Sequence, residues 1–393
     1  MRTPRRYPPS FYLALTANLF FFTGFQWTFA TLPAYIQEIG GGAAAIGLAF
    51  GLFSLSAVAA RPLVGWLVDR WGRKPVLLVG AAIFGLSPAL YAMLDALLPF
   101  QFIRVFHGVG IAAFTTAYTT LVGDLASPDR RGEAIGLSGL TNNLGMLFAP
   151  ALGAYVVREW GYATHFWLAA AITAMSVLLL LPIVEPAKEP VVRTVGLSLR
   201  AVARLRPVWV ASFGITGLAV AYGAVLSFLA PFAERYSLTA AGGYFSTFAV
   251  TMMLAQASAG WLSDRLGRRA VAVPGMAVVV LAMGGLALAR SDAALLFAGA
   301  AFGLSWGLVR AGIDTAVVEA VSPEARGTAV SFLYTMFDSG VGVGSFGLGV
   351  VAQVQGYAAV FYAAAAWAVV ALSGYLVWSR SSSGHRFPQI HTD

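Results

Sequence analysis

Uncharged runs of about twenty residues recur along the whole chain, each closed by a short polar or basic cluster. A run of that length is what roughly 30 Å of hydrocarbon demands of a helix rising about 1.5 Å per residue. The pattern predicts an all-α membrane protein with twelve spanning helices, over 11–36, 44–69, 75–94, 98–123, 133–157 and 163–184, then over 207–233, 240–264, 270–290, 293–318, 328–353 and 357–378. The first run is too long and too aromatic for a removed leader and lacks a small-residue cleavage site, so it is expected to remain as a helix.

The polar clusters carry a second pattern. "GWLVDRWGRK" (65–74) returns as "GWLSDRLGRR" (260–269), identical at seven of ten positions with an offset of 195, and the same offset aligns "SPDRRGEAI" (127–135) with "SPEARGTAV" (322–330) and Asp124 with Glu319. The chain therefore reads as a tandem duplication: an N-terminal six-helix bundle over 1–184, a polar linker over 185–206 and a C-terminal bundle over 207–393. Two parallel halves of this kind resemble the bundles of secondary transporters, with a substrate site at their interface.

Composition agrees with the spans. Hydrophobic residues make up 59% of the 393 and charged ones only 11%, too few to coat a soluble core of this size. The pI near 9.9 raises nucleic-acid binding, but the bases do not gather on one soluble face, so no nucleic-acid partner is expected. Instead they fix orientation. Lys and Arg in short loops stay inside, and with the N-terminus inside nineteen of the 25 bases fall in cytoplasmic segments, three in outer loops, and Arg61, Arg104 and Arg310 within spans. The expectation is a multi-pass cell (inner) membrane protein with both termini cytoplasmic. Cysteine is absent, and with only four histidines no metal or cofactor motif is formed.

The G-x-L-x-D-R-x-G-R-K loop between the second and third spans resembles the signature of the major facilitator superfamily, and with the repeat and the 6 + 6 layout the resemblance covers essentially the whole chain. It implies a cytoplasmic gate of Gly65, Asp69, Arg70, Gly72, Arg73 and Lys74, joined by Asp124, Asp264 and Arg265. Gly65 would permit close helix packing, and Asp69 would cap a facing helix or pair across the halves. Simple retention of topology by bases explains Lys74 equally well.

"GLSGLTNNLGMLFAPALGA" (136–154) is similar to the antiporter motif of the drug-efflux branch, with Gly136, Gly145, Pro150 and Gly153 in place but Ala149 and Ala154 where that pattern has glycine. The resemblance implies export; a packing seam of small residues is the alternative. "RVFHGVG" (104–110) resembles the branch's intramembrane arginine motif. A charge at this depth costs at least about 2.5 kcal/mol, so Arg104 is expected to face a cavity and be paired, as a proton-transfer residue or a hydrogen-bonding post. His107 is a proton carrier or a packing histidine.

Two acids lie within spans. Arg310 and Asp314 are four apart on one helix face and suited to pair. Asp338 has no base in its own span, so desolvation would favour its protonation, and its repeat equivalent is the uncharged Asn143; Arg61 or amides are alternative partners. Asp338 leads Asp314 as proton site. Phe25, Trp27, Tyr222, Phe228, Trp306, Tyr334 and Phe337, with Asn142 and Asn143, are the candidates for lining a cavity, although Asn142 and Asn143 are equally suited to helix–helix hydrogen bonds. An apolar chamber with few charges favours lipophilic or weakly basic solutes.

With no nucleotide or hydrolase motif the energy must come from a gradient, and no enzyme is expected. The reading is a monomeric, proton-coupled exporter of small amphipathic or drug-like molecules working by alternating access. A sugar or metabolite exporter, a symporter, a lipid or lysolipid flippase and a non-transporting receptor are the rivals.

Overall fold

The structure is a computed structural model that describes residues 7–127, 130–185, 199–322 and 325–380. The chain is an all-α membrane protein with twelve crossings in two pseudo-symmetric six-helix bundles. In the first half, α1 (Pro9–Phe29) and α2 (Leu32–Glu38) make one crossing, followed by α3 (Ala43–Trp71), α4 (Arg73–Tyr91), α5 (Leu97–Leu125) and α6 (Arg131–Leu180), which supplies two. After the short α7 (Leu199–Ala203) come α8 (Arg206–Arg235), α9 (Ala241–Leu266), α10 (Arg268–Leu288), α11 (Asp292–Glu319), α12 (Arg326–Gln355) and α13 (Tyr357–Arg380). Among the described residues nine helices are long and apolar enough to cross a membrane on those grounds alone. The remaining three crossings are α1 and α9, rich in Gly, Ser, Thr, Gln and aromatic residues, and the second part of α6.

Two boundaries differ from the periodicity. The first run breaks at Ala30–Thr31, because Pro33 lacks an N–H to continue the helix and instead sits in the opening turn of α2. The fifth and sixth spans, expected to be joined by a short loop, meet directly at Gly161, whose φ of 78° and ψ of 173° turn the chain within a single residue.

That turn is part of the duplication. Gly161 and Gly356 (φ 78° and 84°) stand 195 positions apart, as do Gly72 and Gly267 (φ 100° and 91°), and a side chain at any of them would clash with its own backbone. Packing repeats too. Gly80 lies against Ala113 and Phe114, and Gly275 against Leu308 and Val309; Gly108 lies against Phe53 and Ser56, and Gly303 against Phe248 and Thr251. Every one of these partners is displaced by the same 195 residues, so the two halves bury the same helix crossings.

Contacts divide the chain into one unit of residues 1–42 and 52–189 and a second of 43–51 and 190–393. The first nine residues of α3 thus belong with the second unit, where Gly47 lies against Gly349 of α12. The first unit is filled by rings, with Phe21 stacked on Phe114 at 3.5 Å and tilted against Phe84 at 4.4 Å. Large apolar side chains such as Phe106 (63% exposed), Phe297 (77%) and Val354 (76%) face outward, a distribution that lipid accommodates and water would not.

Candidate functional site

The basic loops are built twice. In the first unit the turn at Gly72 sets Arg73 at the start of α4, where its Nε lies 2.8 Å from Asp124 Oδ2 at the end of α5. The Glu185 carboxylate accepts from the backbone N–H groups of Arg73 (2.8 Å) and Lys74 (3.2 Å), and Lys74 Nζ donates to the Leu181 carbonyl at 2.6 Å. A carboxylate there satisfies two of the amides that a helix start leaves open. In the second unit Arg268 Nη2 lies 2.7 Å from Glu319 Oε1 and its Nη1 donates to Ser263. The Arg70 guanidinium lies over Trp66 at 5.1 Å, and Arg265 over Trp261 at 4.1 Å.

The acid on the start of α4 is Glu185, which the sequence placed in the linker, while Asp69 and Arg70 are exposed. Close packing at Gly65 is corrected: a Cβ there would meet no atom within 4 Å. The side chain of Asp264 lies outside the described residues.

Arg104 and His107 also depart from expectation, since both are fully buried in the first unit rather than open to a cavity. Arg104 Nη1 lies 3.2 Å from His107 Nδ1, and its guanidinium sits over the faces of Phe29 (4.7 Å) and Phe53 (4.6 Å). The Tyr91 hydroxyl lies 3.0 Å from the same Nδ1. The guanidinium can only donate, so Nδ1 accepts and the neutral ring carries its proton on Nε2. Ring faces and hydrogen bonds offset the cost of burying the charge.

Phe25, Trp27 and Asn142, expected at a cavity, pack inside the first unit. Phe25 stacks on Phe29 at 4.1 Å. Trp27 is 8% exposed, donates from Nε1 to the His165 carbonyl at 3.2 Å and stacks on the His165 ring. His165 Nδ1 lies 3.2 Å from the Gly153 carbonyl, which can only accept, so that nitrogen donates; Nε2 faces the Thr31 hydroxyl at 2.8 Å. Asn142 Oδ1 accepts from Asn18 Nδ2 at 2.5 Å, alongside Thr141 at 2.7 Å, joining α6 to α1. Asn143 is half-buried beside it. The glycine motif has the same address: a Cβ on Gly145 would fall 2.9 Å from Thr23 N, and one on Gly153 3.0 Å from the Trp27 carbonyl. Pro150 is buried between them, whereas Gly136 faces open space.

The second unit gathers the remaining candidates. Trp306, Arg310 and Asp314 recur at four-residue steps on α11, and Tyr334, Phe337 and Asp338 share a face of α12. Arg310 Nη2 lies 3.0 Å from Asp314 Oδ2 and 2.7 Å from the Tyr334 hydroxyl, and its guanidinium sits over the rings of Tyr334 (4.7 Å) and Phe337 (5.9 Å). It also feels the Asp338 carboxylate of α12 electrostatically. Trp306 bridges Phe337 at 5.5 Å and Tyr222 at 4.9 Å. Phe228 does not join them; it is wholly buried and packs near Tyr357 at 6.3 Å, which corrects its assignment as a cavity residue. Among the described residues no group of three or more His, Asp or Glu is placed to hold a metal ion.

The sequence profile of the Major Facilitator Superfamily matches residues 14–246 and 235–391. Similar proteins include the "Multi-drug resistance efflux pump PmrA" of Streptococcus pneumoniae, 24% identical over 346 residues that cover 84% of this chain and 86% of that protein. The "Quinolone resistance protein NorA" of Staphylococcus aureus is 22% identical over 173 residues, 44% of each chain. Among solved structures, a bacterial homologue of the human lysosomal transporter Spinster superposes with a TM-score of 0.80 at 17% identity, covering 97% of this chain and 98% of its own. The nucleoside transporter NupG superposes with a TM-score of 0.76 at 16% identity, covering 95% and 100%.

Proposed function

The chain belongs to the major facilitator superfamily, and we propose that it is a cell-membrane exporter that exchanges protons for small amphipathic cations by alternating access. The observation that carries this reading is the arrangement in the second unit, where two carboxylates, Asp314 and Asp338, act on one guanidinium, Arg310, beside the rings of Tyr222, Trp306 and Phe337. With both acids ionised this group bears one net negative charge. Either a proton or an organic cation neutralises it, and two species that compete for one charge are exchanged rather than carried together. The rings favour a lipophilic cation through face contacts worth about 0.5–2 kcal/mol each.

Two further observations support export of drug-like solutes: the antiporter-like glycines of α6, and relatives whose names describe multidrug and quinolone resistance. The distribution of bases supports an orientation with the termini and the paired Arg73 and Arg268 loops on the cytoplasmic side. In this reading Asp69, Arg70, Arg73, Asp124, Arg265 and Asp264 form the gate there, and the transporter works as a monomer.

The test is uptake into proteoliposomes of purified protein with an imposed pH gradient, using ethidium as the cationic dye. Accumulation of ethidium against its gradient, with proton movement in the opposite sense, is expected. Transport indifferent to the pH gradient, or a preference for an uncharged sugar over the dye, would overturn the proposal.

A further inference from the structure

Two hydrogen-bond donors beside Arg310 have no acceptor among the described residues. Trp306 stands near the middle of α11, half-buried, with its ring against Tyr222 of α8 and Phe337 of α12. Nothing described accepts from its Nε1–H, and that nitrogen is not sealed among its neighbours, so it reaches open space. Other tryptophans within crossings differ: Trp27 donates to the His165 carbonyl and Trp367 to Thr216 Oγ1, each at 3.2 Å. Open space at this depth is lipid or a polar cavity. Lipid would leave the N–H unsatisfied at a cost. The residues that follow Trp306 at four-residue steps are Arg310 and Asp314, so its helix face is the polar one. The Tyr334 hydroxyl is the second donor. Its oxygen accepts from Arg310 Nη2 at 2.7 Å, which leaves its own proton to be placed, and the side chain is 41% exposed.

A solute that is only a lipophilic cation would meet the charge and the rings, yet it would strip water from both donors and return nothing to them. We propose that the occupant of this site carries, besides its positive charge, a neutral hydrogen-bond acceptor such as a carbonyl or ether oxygen, and that Trp306 Nε1 and Tyr334 Oη recognise it. The inference rests on the cation exchange proposed above and narrows its substrates to cations that bear such an oxygen. A site built to hydrogen-bond one group of a substrate discriminates against the analogue that lacks it, because its own polar atoms are then left unpaired. Trp306 and Tyr334 are in this sense specificity determinants. Neither brings a charge, so they select among cations without entering the competition between cation and proton.

The experiment uses the full-length protein in nanodiscs, with empty nanodiscs as the blank, and measures equilibrium binding of two probes matched in length and charge. One is (4-phenylbutyl)trimethylammonium and the other its ketone, (4-oxo-4-phenylbutyl)trimethylammonium. The parent should bind the ketone about fivefold more tightly, the worth of one hydrogen bond. Trp306→Phe keeps a ring and removes the donor, and Tyr334→Phe does the same for the hydroxyl. The ratio of the two affinities is read, because a smaller ring weakens both probes alike. That ratio should fall below about twofold in Trp306→Phe and should at least halve in Tyr334→Phe. Equal affinities in the parent, or a ratio that survives in Trp306→Phe, would overturn this inference and leave the exchange reading standing. Binding of neither probe to the parent would overturn the cation reading, and this inference with it. Where Trp306→Phe binds neither probe, Tyr334→Phe decides: a lowered ratio supports recognition of the oxygen, and an unchanged one refutes it.

Discussion

Arg73 Nε lies 2.8 Å from Asp124 Oδ2, and the residues 195 positions further on, Arg268 and Glu319, meet at 2.7 Å. The pairs are equivalent by descent but not by burial: the first has side chains 13% and 33% exposed, the second 25% and 51%. Solvent screening therefore ranks them. A double-mutant cycle with Arg73→Ala and Asp124→Ala, read by thermal melts in detergent, should give a coupling of about 1 kcal/mol, and the Arg268 and Glu319 cycle less than half of that. Equal couplings would mean that burial does not decide the strength of these pairs.

Asp69 sits one turn before the turn at Gly72 and is exposed. If its charge holds the gate shut, Asp69→Asn removes about 0.3–1 kcal/mol from the closed state. The chain has no cysteine of its own, so Gly65→Cys, placed where a Cβ meets open space, provides a single reporter. Labelling by a membrane-impermeant maleimide from the cytoplasmic side should run about two- to fivefold faster in the Asp69→Asn protein. Equal rates in both proteins would remove Asp69 from the gate.

Asp292 gives a prediction in pH. Its carboxylate accepts from the Thr239 hydroxyl at 2.6 Å and from the backbone N–H groups of Thr239 (2.8 Å) and Ala240 (3.0 Å), tying the start of α11 to the start of α9. The Thr239 hydroxyl first, then the Ala240 amide, hold its pKa below the ordinary 3.8. A depressed acid stabilises the folded state above its unfolded value, and that contribution fades as pH falls through the folded value. The melting temperature of Asp292→Ala should therefore lie below that of the parent at pH 7, with the gap closing below about pH 4. A gap that widens on acidification would reverse the sign and refute the assignment.

Arg104 tests whether a buried guanidinium is held by its shape or by its charge. Lysine keeps the charge but loses the planar group that lies over both Phe29 and Phe53 and reaches His107. Arg104→Lys should cost most of what Arg104→Ala costs, about 3 kcal/mol or more, as measured by loss of melting temperature. A lysine variant as stable as the parent would show that charge alone is required.

The helical crossings were legible because lipid imposes a length and a polarity that any window can read, and the duplication was legible because Gly72 and Gly267 must be glycine for a backbone reason. What escaped was the direction in which side chains within a span point. Arg104 is on the fourth crossing, where a charge suggests a cavity, yet the rings that enclose it come from α1 and α3, at positions with no fixed spacing from it in sequence. Phe228 and Trp306 look alike as aromatic residues within spans, but one is core and the other borders Arg310 on its own helix. Glu185 was hidden by lying in a polar linker, and Asn18 and His165 by being single polar residues without a periodic partner. Asp314 and Arg310 could be paired in advance because four residues on a helix fix their separation; nothing comparable fixes Asp338 relative to Arg310.

The remaining prediction separates Asp338 from Asp314. Both carboxylates act on Arg310, and Asp314 is in contact with it at 3.0 Å. Asp338→Asn leaves that contact in place and imitates permanent protonation of the second acid, so the group loses the net charge for which proton and cation compete. Ethidium accumulation driven by a pH gradient should fall more than tenfold, while downhill exchange of ethidium continues and the melting temperature changes little. Asp314→Asn removes the neighbour of a guanidinium that is 13% exposed, and should destabilise the protein by about 3 kcal/mol or more. The two measurements on the two variants discriminate between a proton carrier and a structural ion pair. A loss of stability in Asp338→Asn as large as that in Asp314→Asn would mean that Asp338 is locked as an ion-pair partner, and full retention of uphill transport would mean that the coupled proton is carried elsewhere.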